Sequence, residues 1–208
     1  LFEEKDQQFE LALRRSKGGR VLILTSDQTN TSEVRVADAS KPDSKWSVMR
    51  PRAKGVRYSV DEVGGQFYVR TNLEAPDYRI MRAGLDAPAK WSEVVGVQFG
   101  VLIESFEVLK GDMIALDEYA RGGSRIRLVN MKTGAETLIA PDAPDGHMSF
   151  SDTFSFPGLR NEDADTTALR YAFSSPVTPD TIYDYDVVTG KKTEVQRMAV
   201  PGFSSSAY

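Results

Sequence analysis

The sequence contains no cysteine and only one histidine among its 208 residues. Without cysteine there is no disulfide, no zinc–thiolate centre and no thiol nucleophile, and one histidine cannot supply a metal site built from two imidazoles. A large charge of one sign is also lacking, because 26 Lys and Arg face 30 Asp and Glu, for a net charge of −4. No basic excess is available to attract a nucleic-acid backbone, so we expect no nucleic-acid partner.

Long apolar runs are missing as well. The best of them, Val21 to Leu24 and Val101 to Ile103, are strand-sized, whereas a membrane-spanning helix needs about 20 apolar residues. The acidic residues near the start lack the layout of a secretory signal, and the absence of cysteine fits a reducing compartment. We therefore expect a soluble, cytoplasmic protein with no membrane partner. Because the first residue is Leu1 rather than Met, the native start of the gene product is left open.

Apolar residues make up 40% of the chain, which is enough to bury a core. A repeat organises them. Lys45-Trp46-Ser47 recurs as Lys90-Trp91-Ser92, and Thr133-Gly134 recurs as Thr189-Gly190. Each copy is followed by a short strand-like segment, as expected for repeated β units.

Short alternating segments precede these turns, starting at residues 34, 78, 126 and 182. They are Val34–Asp38, Tyr78–Arg82, Ile126–Asn130 and Ile182–Asp186. A further β-prone run lies upstream of each, namely Val21–Leu24, Gln66–Arg70, Met113–Leu116 and Ala168–Phe173. Between the two runs we expect turn-rich loops at Asp27–Thr31, Asn72–Asp77, Arg121–Ser124 and Ser174–Asp180. Each unit therefore has the pattern strand, loop, strand, tight turn, strand.

A three- to four-stranded antiparallel unit that repeats about every 45 to 55 residues is typical of β-propeller blades. The sequence thus predicts an all-β chain whose residues 1–208 form a partial propeller of about four antiparallel blades. A β-sandwich is the alternative, but it gives no reason for Lys-Trp-Ser to recur between units. Helix should be almost absent, since even Glu4–Arg15 alternates as a strand does. Four blades are either a very small ring or an arc of a larger one.

No complete catalytic set is found in the sequence. Gly122-Gly123-Ser124-Arg125-Ile126 begins like a nucleophile elbow, but Ile126 takes the place of the second glycine, so we interpret it as a hairpin turn. His147, the only imidazole, lies in a Pro/Gly/Asp loop and is interpreted as an exposed or structural histidine. A hydrolase formed by His147 and a nearby serine is the weakest hypothesis.

Ligand sites are not predicted either. Asn161–Asp165 alternates oxygen ligands but lacks the glycine and distal glutamate of a calcium loop. Arg14–Arg20 lacks the spacing of a phosphate loop, and Asp27–Glu33 is interpreted as a blade connection in which Asp27, Thr29 and Asn30 bond their own backbone. The sequence therefore predicts no catalytic residue, no metal ligand and no cofactor, and it leaves the substrate-binding residues unidentified.

Several segments carry a family resemblance that runs in order from Glu4 to about Phe203. They are Glu4–Phe9, Thr31–Glu33, Thr71-Asn72 with Ala75-Pro76 and Arg79, Asp117–Arg121, and Ser174–Pro176 through Thr178-Pro179 to Tyr183–Asp186. The last, together with Thr189-Gly190 and Val200–Phe203, is the most specific. These segments resemble the propeller of the oligopeptidase B group in the prolyl oligopeptidase family of serine peptidases.

The resemblance implies a seven-bladed propeller that covers an α/β-hydrolase domain, in which a Ser, Asp and His cleave short peptides after Lys or Arg. The chain would be the later part of that propeller: a non-catalytic arc that filters substrates by size and is inactive alone. Its partners would be the missing hydrolase domain, the remaining blades and short peptides, with self-association through exposed blade faces. The alternative is a self-contained small propeller that acts as a protein-interaction scaffold.

Overall fold

The computed structural model describes residues 2–143, 145–150, 156, 159 and 161–202. These residues form sixteen strands and no helix, which confirms the all-β prediction. The strands are β1 (Glu10–Arg15), β2 (Val21–Gln28), β3 (Thr31–Asp38), β4 (Ser47–Arg50), β5 (Tyr58–Val63), β6 (Gln66–Thr71), β7 (Arg79–Gly84), β8 (Ser92–Val95), β9 (Leu102–Leu109), β10 (Met113–Ala120), β11 (Gly123–Asn130), β12 (Glu136–Ile139), β13 (His147–Ser149), β14 (Ala168–Ser175), β15 (Thr178–Asp186) and β16 (Lys192–Arg197). Leu1 and Phe203, named above, lie outside the described residues.

The strands form four antiparallel sheets, each made of four consecutive strands: β1 to β4, β5 to β8, β9 to β12 and β13 to β16. Every strand pairs only with its neighbours along the chain, so each sheet is a meander. This is the strand order of a propeller blade, as the repeat predicts. The structure adds a first strand to each three-stranded unit deduced from the sequence.

The chain divides into two compact units, Leu1–Gln98 and Phe99–Tyr208. The first unit contains the sheets β1 to β4 and β5 to β8, whose facing side chains form one core that includes Ile23, Val34, Met49, Phe67 and Val69. The second unit contains the other two sheets, with a core that includes Ile126, Leu128, Leu169, Tyr171 and Phe173. In both units the apolar positions of the predicted strands supply the core.

Burial along each strand reflects its place in the sheet. β3 is buried along nearly its whole length because it is a central strand that the neighbouring sheet also covers. β1 and β16 are edge strands, and nearly all of their side chains are exposed. Edge strands present unpaired backbone groups on one side, so β1 and β16 are the open borders of their sheets.

The two Lys-Trp-Ser copies occupy equivalent places, because Ser47 is the first residue of β4 and Ser92 the first residue of β8. In the second copy, Trp91 packs against the core of the first unit. Its ring meets Tyr58 edge to face with centroids 5.2 Å apart, and its Nε1 donates to the carbonyl of Pro88 at 2.9 Å. The sequence repeat therefore marks the entry into the fourth strand of each sheet.

The Thr-Gly repeat also has a structural counterpart at the end of the third strand. Oδ1 of Asn130 accepts from the N–H of Thr133 at 2.9 Å, and Oδ1 of Asp186 accepts from the N–H of Thr189 at 2.7 Å. The glycine after each threonine has a φ of 73° or 71°. Glycine adopts this left-handed conformation without a steric penalty, which explains the Thr-Gly pair in both turns.

Several predicted loops are shorter in the structure. β2 continues to Gln28 and β3 begins at Thr31, so the turn between them has two residues. The expectation that Asp27 bonds its own backbone is wrong. Its carboxylate accepts from Ser32 Oγ at 2.7 Å and pairs with Arg57 at 2.7 Å, because partners across the strand and in a neighbouring segment replace the local turn.

The connection between β6 and β7 is longer than the corresponding connections of the other three sheets. The first, third and fourth sheets have two residues between their second and third strands, whereas the second sheet has Asn72–Tyr78. The alternating pattern predicted that a strand begins at Tyr78, but β7 begins at Arg79 and Tyr78 belongs to the connection. It has a φ of 66°, an unusual value for a residue other than glycine, and the guanidinium of Arg70 lies 3.5 Å from the centroid of its ring.

Candidate functional site

Ser124, the serine of the elbow-like motif, is a buried residue of β11 and not part of the turn itself. Its hydroxyl donates to the carbonyl of Met148 at 2.8 Å and accepts from the N–H of Met148 at 2.8 Å. Both hydrogen-bonding roles of the hydroxyl are therefore in use. Ser124 joins β11 to β13, which belong to two different sheets of the second unit.

His147 lies on β13 and is exposed. The charge of His147 acts on Asp117 of β10. Burial and the charge of Glu104 raise the pKa of Asp117 to about 6, against the opposing effects of the Phe150 backbone and of His147. Ser105 Oγ donates directly to Asp117 Oδ2 at 3.4 Å. A Ser-His-Asp triad needs the imidazole between the serine and the carboxylate. These residues do not have that arrangement.

The segment Asn161–Asp165 is tied into the second unit. Asn161 Oδ1 accepts from the N–H of Arg170 at 2.8 Å and its Nδ2 donates to the carbonyl of Arg170 at 2.9 Å, while Asp165 pairs with Lys110 at 3.0 Å. The amide of Asn161 thus replaces a backbone partner for β14. Across the described ranges, no group of three or more acidic or histidine side chains is arranged to hold a metal ion.

The basic turn Arg14–Arg20 joins the two sheets of the first unit through Glu62, whose side chain is completely buried. Ser16 Oγ donates to Glu62 Oε2 at 2.8 Å, and the N–H of Gly65 donates to Oε1 at 2.9 Å. A Cβ on Gly18 would lie 2.7 Å from the same carboxylate. Only glycine at residue 18 lets the turn approach Glu62 this closely.

Tyr58 forms a second joint in the first unit. Its hydroxyl accepts from the N–H of Val34 at 2.9 Å and donates to the carbonyl of Arg50 at 2.6 Å. These two backbone groups lie where the register of β3 and β4 shifts between Val34 and Arg35. A bulge leaves backbone groups unpaired, and the phenol supplies their partner. Burial raises the pKa of Tyr58 to about 12, so the hydroxyl stays protonated.

Glu118 is the corresponding buried carboxylate of the second unit, and its partners are cations. Arg127 Nε donates to Glu118 Oε1 at 2.8 Å, and Arg125 Nε donates to Oε2 at 2.9 Å. Glu118 and Arg127 are 0% and 3% exposed. Two guanidinium groups therefore hold one carboxylate inside the pair of strands β10 and β11.

The first unit also contains a cleft of about 680 Å³ between its two sheets. Its walls come from the turn between β1 and β2, from the connections that lead into β4 and β8, and from the inner strands. The lining residues are Arg15, Gly19, Arg20, Val21, Val36, Ala37, Asp38, Ser40, Ser44, Lys45, Ser47, Phe67, Leu85, Asp86 and Pro88. Three cations therefore lie around a floor of apolar side chains.

The sequence alone did not identify Glu62, Glu118 or the cleft as features of interest. A usable signal was present for the carboxylates, because Glu62 and Glu118 interrupt apolar strand patterns at positions that face a core. An acidic residue at such a position is buried only with dedicated hydrogen-bond partners. No comparable signal exists for the cleft, since its walls come from five separate segments.

Nothing in the described part of the chain forms a helix with the length and apolarity needed to cross a bilayer. Residues 1–198 match the family model described as "Prolyl oligopeptidase, N-terminal beta-propeller domain". Dipeptidyl aminopeptidase BI of Pseudoxanthomonas mexicana is 27% identical over 100% of this chain and 28% of its own length. Protease 2 of Moraxella lacunata is 26% identical over 97% of this chain and 28% of its own length.

Solved structures of this peptidase family have the same fold over the length of this chain. Oligopeptidase B of Trypanosoma brucei, with covalently bound antipain, superimposes with a TM-score of 0.83 at 25% identity, over 99% of this chain and 30% of that protein. Oligopeptidase B of Leishmania major has the same fold over this region, with a TM-score of 0.84 at 22% identity. The chain spans less than a third of the length of each of these four proteins. Its match over residues 1–198 and its four meander sheets make it a member of the prolyl oligopeptidase N-terminal β-propeller family.

Proposed function

We propose that this chain is the non-catalytic propeller portion of a longer serine peptidase, in which it limits access to the active site by substrate size. The match to the propeller domain of prolyl oligopeptidases over residues 1–198 carries this proposal. The local chemistry supports it, because the Ser124 hydroxyl is committed to Met148 and the Ser105 hydroxyl bonds Asp117 without an intervening imidazole. The reaction would belong to an α/β-hydrolase domain outside this chain.

The packing of the sheets within each unit is suited to a rigid barrier that excludes folded proteins from an active site behind it. Each pair of sheets within a unit is joined by buried hydrogen bonds, such as those of Tyr58 and Glu62 in the first unit and of Ser124 in the second. Breaking such a joint exposes unpaired buried groups at a cost of about 1–3 kcal/mol each. The blades of a unit therefore resist separation. Only extended or short peptides would reach a nucleophile behind such a wall.

The first test compares the 208-residue chain with the full-length protein that contains it, on a short peptide with Arg before a chromogenic leaving group. We expect turnover by the full-length protein and none by the chain. Triad-dependent hydrolysis by the chain alone, abolished by Ser124→Ala and by His147→Ala, would overturn the proposal. Full-length protein that cleaves a folded protein as fast as a short peptide would overturn the size filter.

The substrate class is the finer part of the proposal. Cleavage after Lys or Arg follows from the resemblance to oligopeptidase B. Release of dipeptides from a free amino terminus is a second candidate, favoured by the 27% identity to a dipeptidyl aminopeptidase over the whole chain. The two are separated by one pair of substrates: an Ala-Arg leaving-group conjugate with a free amino terminus and the same conjugate with an acetylated one. Equal turnover supports the endopeptidase activity, and loss of turnover on acetylation supports the dipeptidyl aminopeptidase activity.

The hydrolase domain and further blades are the partners we propose for the faces of the terminal sheets. In the isolated chain, the exposed side chains Leu11 and Leu13 on β1 favour self-association. Light scattering at rising concentration tests this, and a monomer mass at every concentration contradicts it. A cytoplasmic location stays a prediction.

A further inference from the structure

The cleft of the first unit has the dimensions of a small-molecule site. Its volume of about 680 Å³ lies within the range of about 300–1,000 Å³ that ligand pockets occupy. All of its lining residues belong to the first unit, between Arg15 and Pro88. Its chemistry can therefore be analysed without reference to the rest of the chain, and it is independent of the peptidase function proposed above.

The cations around the cleft differ from most other arginines of the same unit. Arg14, Arg35, Arg52, Arg57 and Arg79 each pair with a carboxylate. Arg15, Arg20 and Lys45 line the cleft, and within the described ranges no ion pair involves any of the three. They come from the turn between β1 and β2 and from the first Lys-Trp-Ser copy. Three cations therefore line one cavity outside the ion pairs that neutralise most other arginines of the unit.

Two carboxylates, those of Asp38 and Asp86, also line the cleft. The first is hydrogen-bonded to a neighbouring residue, and the second points towards the end of β7. Asp38 Oδ1 accepts from the N–H of Ser40 at 2.8 Å and from its hydroxyl at 2.7 Å, and these bonds lower the pKa of Asp38. Oδ1 of Asp86 lies 2.6 Å from the place that a Cβ on Gly84 would take, so its carboxylate is folded back over the end of β7. Neither forms an ion pair with the three cations in the part of the chain that the structure describes.

The floor of the cleft is apolar. Val21, Val36 and Phe67 are 6%, 5% and 1% exposed and form part of the core beneath it. Pro88 on the opposite wall is held in place by the hydrogen bond from Trp91. Above this core, Leu85, which is 38% exposed, and Pro88 give the cleft accessible apolar surface. Such a surface favours a ligand that buries hydrocarbon or an aromatic ring over a small hydrated ion.

We propose that this cleft binds a small organic anion, in which an acidic group is attached to an apolar or aromatic body. The acidic group would lie among Arg15, Arg20 and Lys45, where charge-assisted hydrogen bonds to guanidinium and ammonium groups are the strongest available. The apolar body would lie against Leu85 and Pro88, the apolar lining side chains that reach the surface of the cleft. Neither an inorganic anion nor a neutral aromatic compound matches both halves of the site.

Calorimetric titration of the 208-residue chain tests the proposal with three probes: 2-naphthoate, its neutral analogue 2-naphthamide, and acetate. We expect saturable one-to-one binding of 2-naphthoate, with 2-naphthamide and acetate each about tenfold weaker or more, since one charge-assisted hydrogen bond contributes at least that factor. Binding of 2-naphthoate should weaken as NaCl rises. Equal affinity for 2-naphthoate and 2-naphthamide would overturn the proposal, as would several weak sites per chain.

Three cation variants locate the site. Arg20→Gln and Lys45→Gln should each weaken 2-naphthoate binding by about five- to tenfold, and Arg15→Gln serves in place of either variant that fails to fold by circular dichroism. Lys54→Gln is the matched control, because Lys54 is an exposed cation of the same unit outside the cleft. Unchanged binding in all the cleft variants, or an equal loss in Lys54→Gln, would place the probe elsewhere and overturn the proposal. None of these outcomes depends on peptide hydrolysis, so the binding and peptidase proposals fail separately.

Discussion

The two units each bury one glutamate completely, Glu62 in the first and Glu118 in the second, and they satisfy it in different ways. Glu62 receives hydrogen bonds from the Ser16 hydroxyl and the Arg20 N–H, which cross from one sheet to the next, and one from the N–H of Gly65 in the turn after its own strand. Glu118 receives guanidinium groups from the neighbouring strand of its own sheet. The first arrangement joins sheets, whereas the second neutralises charge within one sheet. A buried carboxylate can thus serve either purpose, depending on its donors.

Removing the charge of Glu118 should give the largest effect. Glu118→Gln leaves Arg127 buried with only the half-exposed Glu136 as a charged partner, and breaking a buried ion pair costs about 3 kcal/mol or more. Hydrogen exchange of the β10 and β11 amides measures the loss in the second unit. Glu136→Gln is the control and should cost less than about 1 kcal/mol, because this partner is close to solvent. A Glu118→Gln cost no larger than the control would refute the charge-neutralising role.

Glu62→Gln should cost about 2 kcal/mol in the first unit, because the new amide group places a donor opposite the Ser16 hydroxyl and the backbone N–H groups. Both tryptophans, Trp46 and Trp91, lie in the first unit, so their fluorescence during urea unfolding reports on this unit alone. The cost should be insensitive to salt, since the donors are neutral. Glu10→Gln, on the exposed strand β1, is the control. A strong salt dependence would mean that a cation, and not the neutral joint, holds Glu62.

Asp117 extends the comparison of Glu62 with Glu118, because it is a buried carboxyl group to which no cation is bonded among the described residues. Its pKa is about 6 in the folded protein, against 3.8 for an unperturbed group. As pH rises through this window the unfolded chain loses its proton first, so folding stability falls between about pH 4 and pH 6. Asp117→Asn removes that loss and should gain about 1–2 kcal/mol at pH 7. Hydrogen exchange at pH 5 and pH 7 measures it, with Glu162→Gln as an exposed control. A variant that is less stable at both pH values would contradict the assignment.

Glu4 should give the smallest effect, because its guanidinium partner Arg52 is 30% exposed and the residues that flank Glu4 are exposed. Its carboxylate meets Arg52 Nη2 at 2.6 Å and Ser26 Oγ at 2.6 Å, and these bonds, led by that from Arg52, lower its pKa to about 2. The stabilisation is present above pH 4.5 and is lost as pH falls towards 2. Glu4→Gln should therefore cost about 0.5–1 kcal/mol at pH 7 and little at pH 2. Tryptophan fluorescence during urea unfolding at both pH values provides the check; a constant cost would exclude an ionic origin.

The sequence predicted the fold where the information is local. Lys-Trp-Ser marks the entry to a fourth strand, and Asn130 and Asp186 close turns with their own neighbours, so both patterns can be recognised in a short window. The first strand of the second sheet was missed because Glu62 interrupts its apolar alternation, whereas Glu4–Arg15, which contains β1, was interpreted as strand-like. Whether an acid can lie inside a strand depends on donors that are far away in sequence.

The candidate sites were harder to predict for the same reason. Ser16 is hydrogen-bonded to Glu62, 46 residues away, and Ser124 to Met148, 24 residues away. No pattern in the intervening sequence predicts either bond. The cleft combines turns from two sheets. The sequence led to the interpretation of Ser124 as part of a hairpin turn, whereas its role as a joint between two strands of the second unit is visible only in the folded chain.

The meander order of each sheet has a consequence for inheritance. Within the described residues no sheet borrows a strand from another, so a cut in the DNA between two blades leaves every hydrogen-bonded strand pair intact. Tandem duplication of one such segment adds a complete blade with its own turns. Lys-Trp-Ser at equivalent positions of the first two sheets, and Thr-Gly at equivalent positions of the last two, are what such duplication would leave behind.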